Sequence, residues 1–332
     1  MSYSVSVILP NYNGKHLLET FLPYTYAALE GHDFDYEIIV VDDCSSDDSI
    51  SFLNNSYPGI RILRNSKNSG FSKTCNVGIQ AATKQLTLLL NTDVKLSKDY
   101  FSGLSSYFED PETFGVMGRI IGINDELIQD AARIPKFSGF KIQPSNFFYT
   151  TKKEIKVPTL YLSGANALVD TAKLKALKGF NEIFSPFYGE DLDLGVRAWR
   201  SGWKCYYHHD SICRHQLSST TKNLKKEQYI KMVYFRNRYI FYHLHWDGIN
   251  LLLLHVQLFL TEFLFGLMTF KAYKIKAYLN FWKQYPAVIK SKKALKLYLS
   301  STKNLSLKRV VSLLSHVSKK LNLDKVRPKD LA

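Results

Sequence analysis

The sequence predicts an α/β fold, a mostly parallel, Rossmann-like sheet covered by helices, with a helical extension at its C-terminal end. Three observations carry this. Short apolar runs alternate with helix-like stretches through the first 90 residues. Polar, often acidic clusters follow three of those runs, at what becomes one edge of a parallel sheet. The basic excess of the chain is concentrated at its end.

Residues 5–9 read as a first strand and residues 17–29 as a helix with three- and four-residue apolar spacing. Residues 38–41 are all apolar, which suits a strand buried on both faces. A second helix begins at 48–53, a short strand follows at 60–63, a third helix at 73–82 and a fourth strand at 86–90. Alternation of this kind favours right-handed parallel crossovers. Further on, residues 171–177 read as a short helix with Gly179 as its C-terminal cap, and residues 191–201 as a helix stopped by Gly202. Residues 203–208 alternate like a strand. The expected division is a first domain of residues 1–222 and a basic, aromatic-rich helical region of 223–332.

Composition narrows the function. The 332 residues carry a net charge of +15, but 16 of the 44 basic residues and only two of the 29 acidic ones lie after residue 270. The first 270 residues are near neutral, so the charge describes a partner of the tail, and the acidic clusters argue against nucleic acid. The four cysteines are scattered, which suits a reducing compartment. The first residues lack a basic segment before their apolar run, so no signal peptide is expected. Residues 249–270 are long and apolar enough to span a bilayer, but His255, Gln257, Thr261 and Glu262 interrupt them, which favours lying against protein or in the membrane interface.

The polar clusters are Pro10-Asn-Tyr-Asn13, Asp42-Asp-Cys-Ser-Ser-Asp47 and Asn91-Thr-Asp93. A carboxylate here can accept a base N–H or hold a hard cation, and an aromatic ring can cover a base. Asp42, Asp43 and Asp47 can also cap the next helix, a role assigned to Asp47. Gly164 lies in a small-residue stretch that allows close backbone approach to a ligand. Glu190-Asp191 offers paired carboxyls for general base work at a helix start, where the ionised form is stabilised. A zinc reading of Cys205, His208, His209, Cys213 and His215 has spacing unlike a finger or ribbon.

Five segments in order resemble the family-2 inverting glycosyltransferases of the GT-A fold, bacterial surface-polysaccharide and rhamnosyltransferase-like members in particular. They are Ser6-Val-Ile-Leu-Pro-Asn-Tyr-Asn13, Ile39-Val-Val-Asp-Asp-Cys-Ser-Ser-Asp47, Asn68-Ser-Gly70 with Asn76-Val-Gly78, Leu88-Leu-Leu-Asn-Thr-Asp93 and Gly189-Glu-Asp-Leu-Asp-Leu194. The resemblance, over residues 4–216, implies that Asp42 reads a uracil or thymine ring with Pro10 and Tyr12 beside it. It places Asn13, Asp43, Asn68, Gly70 and Asn91 around the donor nucleotide. Asp93 stands at the family's metal-ligand aspartate and His215 at a second ligand, for Mg2+ or Mn2+, while Asn91 departs from the usual first aspartate. Asp191 matches the catalytic base, with Glu190 as its partner or its alternate, and Gly164, Phe187 and Tyr188 face the acceptor. The expected partners are a UDP- or dTDP-linked donor and a glycan or lipid-linked acceptor. The tail is expected on an anionic membrane, at the cytoplasmic face of the inner membrane, or in a homodimer through its helices. A nucleotidyltransferase or an inactive sugar-nucleotide-binding protein are the alternatives. The first would want a Gly-rich basic phosphate loop after the first strand, where this chain has Pro-Asn-Tyr-Asn-Gly-Lys.

Overall fold

A computed structural model of the protein describes residues 3–143, 146–216 and 224–326. The expected boundary at 222/223 lies outside the described residues. Strand β1 (Val5–Asn11), helix α1 (Lys15–Glu30), β2 (Tyr36–Asp42), α2 (Ser49–Ser56), β3 (Arg61–Arg64), α3 (Phe71–Ala81) and β4 (Leu86–Leu90) follow in the expected order. β4, β1, β2 and β3 lie side by side and parallel. β1 and β2 outrun the apolar residues because their ladder continues through Pro10 opposite Val41 and Asn11 opposite Asp42. Backbone pairing needs no apolar side chain, so the ends of both strands are polar.

Next come β5 (Val94–Leu96), β6 (Thr113–Gly122), β7 (Ile128–Asp130), β8 (Ala132–Arg133), β9 (Lys136–Ser138), β10 (Lys141–Gln143), β11 (Phe147–Tyr149) and β12 (Val157–Pro158). They precede β13 (Asn166–Asp170), α4 (Thr171–Ala176), α5 (Glu190–Ser201) and β14 (Lys204–His215). β13 inserts antiparallel between β4 and β6, and β14 runs parallel to β6. The sheet is therefore parallel in its first half and mixed in its second. β14 extends well beyond the expected 203–208, because after an irregularity at His208/Ile212 it pairs again with β6 and with β5.

The chain continues as α6 (Leu224–His245), α7 (Gly248–Leu258), a π-helical turn (Phe259–Leu264), α8 (Phe265–Met268), α9 (Ala272–Lys283), α10 (Tyr285–Leu299) and α11 (Leu307–Leu321). A last strand, β15 (Asp324–Val326), pairs with β11. Alternate residues of β1 feed two cores. Val5, Val7 and Leu9 join Leu18, Leu22 and Leu29 of α1, whereas Ile8 joins a core that runs through α3 and α5 into α6, α7, α9, α10 and α11.

That second core corrects one expectation. For a tail expected on a membrane, the aromatic residues Tyr239, Phe241, Tyr242 and Trp246 suit the headgroup region by composition, yet all four are at most 3% exposed. Burying such rings inside the protein is worth roughly 1.5–3 kcal/mol each, and α6 uses them to pack on the body. The apolar surface lies instead on α7 to α8, one continuous helical stretch long and apolar enough to cross a membrane. Its four polar interruptions all find partners within the protein, with Glu262 buried and Thr261 exposed. Gln257 Oε1 accepts from Phe140 N–H at 2.8 Å and its Nε2 donates to Ser138 O. Lys141 Nζ donates to Thr261 Oγ1 and Glu262, and His255 meets His243. Ile249, Leu252, Val256, Leu260 and Met268 face out.

Candidate active site

The carboxyl ends of β1, β2 and β4 converge on one cleft of about 340 Å3. Pro10, Tyr12, Asp43, Asn68, Gly70, Asn91, Asp93 and Phe187 all line it, so eight of the residues singled out in sequence meet in space. Asn11, Phe71, Thr74, Thr92 and Pro186 complete the wall.

The neighbouring aspartates divide the labour. Asp42 is sealed from solvent and stands behind the wall. It accepts from Asn11 Nδ2 at 3.2 Å and Ser45 N–H at 3.1 Å, with Arg64 Nε at 3.7 Å. The carboxylate expected to face the ligand here is Asp42, but the one on the cleft is Asp43. Asp43 also fixes the 65–70 loop: it accepts from Asn65 Nδ2, Ser69 N–H and Gly70 N–H, each at 2.8 Å. Gly70, at φ 84°, takes a backbone shape that few side chains tolerate. Asn13 lies outside the cleft and ties two loops together, donating its N–H to Ser45 Oγ and accepting Ser46 N–H on Oδ1. Asp47, expected as a cap, accepts Ser49 N–H at the start of α2 and Lys15 N–H at the start of α1.

At the end of β4, Asp93 Oδ2 lies 3.3 Å from His215 Nε2. His215 Nδ1 is 2.9 Å from Gln129 Oε1, and only an N–H can serve that oxygen. Nε2 then presents a lone pair to a carboxylate oxygen, and two acceptors at this separation need a proton or a cation between them. Asp93 Oδ1 and Asn91 Oδ1 are buried without a partner beside them. Oxygen donors with one imidazole, oriented from behind by Gln129, fit a divalent cation that takes its remaining ligands from elsewhere. Among the described residues no group of three or more His, Cys, Asp or Glu side chains converges. The zinc reading fails on the same ground: His208 meets Ser211, His209 meets Tyr207, and Cys205 and Cys213 are buried in the sheet.

Past the cleft wall, Phe187 and Tyr188 lead into α5, whose first residues are Glu190 and Asp191. Both carboxyls are raised above the ordinary range, chiefly by burial. Glu190 is raised further, because the Asp191 charge adds to its burial, while the N–H groups of Glu190 and Tyr188 partly offset this. Asp191 is raised by Asp130 and steadied by Leu192 N–H, 2.7 Å from its Oδ1. Glu190 Oε2 is buried without a partner. Gly164 packs against the Phe71 ring, which a Cβ there would meet at 3.1 Å.

Four positioning residues escaped the sequence. Gln129 and Asp130, consecutive on β7, serve opposite sides: Gln129 orients His215, and Asp130 accepts from Tyr161 and Arg133 beside Asp191. From α6, Asn237 Nδ2 shares its two N–H groups among the carbonyls of Phe184, Phe187 and Tyr188, at 2.5, 2.9 and 2.8 Å. Tyr188 has φ 72°, a strained shape for a tyrosine, and this clamp holds it. Arg236 braces Asn237 Oδ1 and Ser185 O. Their only sequence signal was the density of polar residues within an otherwise aromatic helix.

A model described as Glycosyl transferase family 2 matches residues 6–177, just over half of the chain. The chain is 33% identical over 94 residues to a dolichol-phosphate mannosyltransferase of Pyrococcus furiosus, covering 27% of this chain and 26% of that protein. It is 36% identical over 98 residues to an undecaprenyl-phosphate 4-deoxy-4-formamido-L-arabinose transferase of an Enterobacter species, covering 28% and 30%. The chain thus spans about a third or less of the length of the curated relatives it matches. Among solved structures, GalNAc-T7 with UDP, GalNAc and Mn2+ aligns with a TM-score of 0.63 at 14% identity, covering 96% of this chain and 58% of that one. The mannosyltransferase PcManGT of Pyrobaculum calidifontis, with GDP-Man and Mn2+, aligns at 0.53 and 14% identity, covering 97% and 81%. Likeness at such identities shows the fold, the expected GT-A arrangement. With the family model matched through the cleft-forming motifs, the chain belongs to glycosyl transferase family 2.

Proposed function

We propose that the protein is an inverting glycosyltransferase that moves one sugar from a UDP- or dTDP-linked donor to a glycan or lipid-linked acceptor. The observation that carries this is the pairing of a cleft ending on Asp93 with a buried carboxyl pair that begins three residues beyond its wall. Tyr12, half-exposed at the mouth, covers the base. Asp93 and His215 would hold Mg2+ or Mn2+, which supplies charge neutralisation for the departing diphosphate. Two family relatives bear names that join a sugar to dolichol phosphate or undecaprenyl phosphate, which supports a lipid-linked acceptor.

Of the two carboxyls, Glu190 keeps its proton to higher pH, so Asp191 is the one ionised and free to act as base. The acceptor hydroxyl oxygen bonds to the anomeric carbon while the bond to the diphosphate breaks. The electron pair leaves with the diphosphate and the hydroxyl proton passes to Asp191. The outward apolar face of α7 and α8 and the exposed Lys271 at its end support a peripheral seat on a cytoplasmic membrane surface. Lys271 Nζ lies 5.4 Å from the Phe265 ring, whereas Lys274 is paired with Glu262 at 2.8 Å. The test is a panel of UDP-, dTDP- and GDP-sugars, read by thermal shift, donor hydrolysis and the anomeric NMR signals of the product. A panel with no response would remove the transferase reading, and a retained anomeric configuration would remove inversion.

A further inference from the structure

Two exposed apolar surfaces among the described residues differ in chemistry. One is the stripe of α7 and α8, where leucines and other aliphatic residues stand with Phe259 and Phe265 and no tyrosine. The other is aromatic and sits at the cleft mouth, where the 184–188 loop meets α6. Phe187 belongs to the cleft wall. Its ring centroid lies 5.0 Å from Tyr188 at 77° and 6.3 Å from Tyr229 at 84°. Tyr188 lies 6.2 Å from Tyr234 at 80°. Tyr188, Tyr229 and Tyr234 are 48%, 49% and 38% exposed, high values for large rings in mutual contact.

The patch is held in place from beneath. Asn237 fixes the Phe187 and Tyr188 backbone, and Arg238 NH1 donates to Tyr234 Oη at 2.8 Å. Rings that merely packed the loop on the helix would be buried by that packing. These remain open to solvent, with three hydroxyls among four ring faces.

We propose that Tyr229 and Tyr234 of α6 join Phe187 and Tyr188 in a stacking platform for a pyranose ring of the acceptor glycan. The assignment rests on the glycosyltransferase reading. A pyranose has an apolar C–H face and a polar hydroxyl rim. Tyrosine offers the matching pair, an aromatic face and a wet hydroxyl. A hydrocarbon chain has no use for the hydroxyls and is better served by the α7–α8 stripe, which has none on its rings. Continuity fixes the position: Phe187 is shared with the cleft, and Tyr188 stands two residues before Glu190 at the start of α5. A sugar stacked here leaves its next residue beside the carboxyl pair.

The test is saturation-transfer NMR on the full chain with methyl pyranosides of glucose, galactose, mannose, N-acetylglucosamine and rhamnose, and with UDP and dTDP in parallel. At least one pyranoside should receive saturation at its ring C–H protons. Tyr229→Ala/Tyr234→Ala should weaken that binding at least ~3-fold, as loss of ring contacts implies. Tyr229→Phe/Tyr234→Phe, which keeps the rings, should retain most of it. Silence from every pyranoside with the wild type, or equal signals from wild type and the alanine variant, overturns the platform. UDP and dTDP signals should be the same in all three proteins. Their absence from the wild type counts against the donor reading alone, and the platform is still judged on the sugars.

Discussion

His245 Nε2 lies 3.0 Å from Asp193 Oδ1, and neither side chain reaches solvent. The contact joins α6 to α5 three residues after Glu190. Arg197 Nε occupies the other Asp193 oxygen at 2.6 Å, and Arg200 NH1 stands 3.4 Å from His245 Nδ1. An imidazole that accepts from arginine and donates to aspartate is neutral. Burial accordingly lowers its pKa to about 4, against the pull of Asp193.

The folded pKa lies below the unfolded one, so the unfolded chain takes up the proton first. Stability from this group is complete above about pH 6.5 and is lost as pH falls toward 4. His209 and His243, also lowered to about 4 chiefly by burial, act in the same direction. His245→Asn should flatten the acid limb of the stability curve by up to about 1.4 kcal/mol per pH unit, the value of one proton. Urea unfolding at pH 7, 6 and 5 measures it, and parallel curves for the two proteins would refute the neutral assignment.

Asp191→Asn should keep fold and donor binding and reduce transfer at least ~100-fold, the scale of a positioned base. Glu190→Gln should cost far less, within about tenfold, because a protonated carboxyl resembles an amide. Asp130→Asn should shift the acid limb of the rate profile to lower pH, since Asp130 raises the Asp191 pKa. Steady-state rates from pH 5 to 9 decide all three. A Glu190 variant worse than the Asp191 variant would exchange their roles.

Asp93→Ala should abolish stimulation by Mn2+ and weaken donor binding, and His215→Ala should do the same more mildly. Gln129→Ala should raise the Mn2+ concentration needed for half-maximal rate by about 10-fold, the lower end of the effect of removing a second partner from a metal-bound imidazole. Full activity in excess chelator would eliminate the metal.

Asn237→Ala leaves three carbonyls without their donor and should cost about 1–3 kcal/mol of stability. Because Tyr188 is strained, turnover should fall more than the melting temperature suggests, with UDP affinity little changed. A variant with wild-type turnover would make Asn237 purely structural.

Leu252→Asp/Leu260→Asp should abolish flotation with anionic vesicles while leaving activity on soluble substrates intact. Wild-type binding should need anionic lipid and weaken with salt, each engaged cation adding up to about 1 kcal/mol. A wild-type chain that stays soluble with every vesicle and sediments as a dimer would assign the stripe to self-association.

The parallel half of the sheet was legible because each of its strands holds a short apolar run and polar clusters follow those of β1, β2 and β4. The cleft was legible for the same reason, since Pro10, Asp43, Asn91 and Asp93 all sit at strand ends. The antiparallel insertion of β13 was not, because burial on both faces erases the alternation that separates parallel from antiparallel. Asp42 and Asp43 look alike in sequence, and which one faces the cleft depends on the turn after β2. Gln129 and Asp130 sit on a three-residue strand with no periodicity. Composition alone mistook the α6 rings for a membrane belt, because an aromatic helix looks the same whether it meets lipid or protein.

The clamp from α6 also sets an order of events. Asn237 lies 49 to 53 positions after the carbonyls it gathers, and His245 lies 52 after Asp193. Every recognisable motif has been synthesised before either anchor. For those seconds of translation the nascent chain has the strand ends of the cleft without the contacts that hold Tyr188 and Asp193. Under the proposed mechanism, competence to transfer sugar waits until α6 has folded back onto α5 and the 184–188 loop.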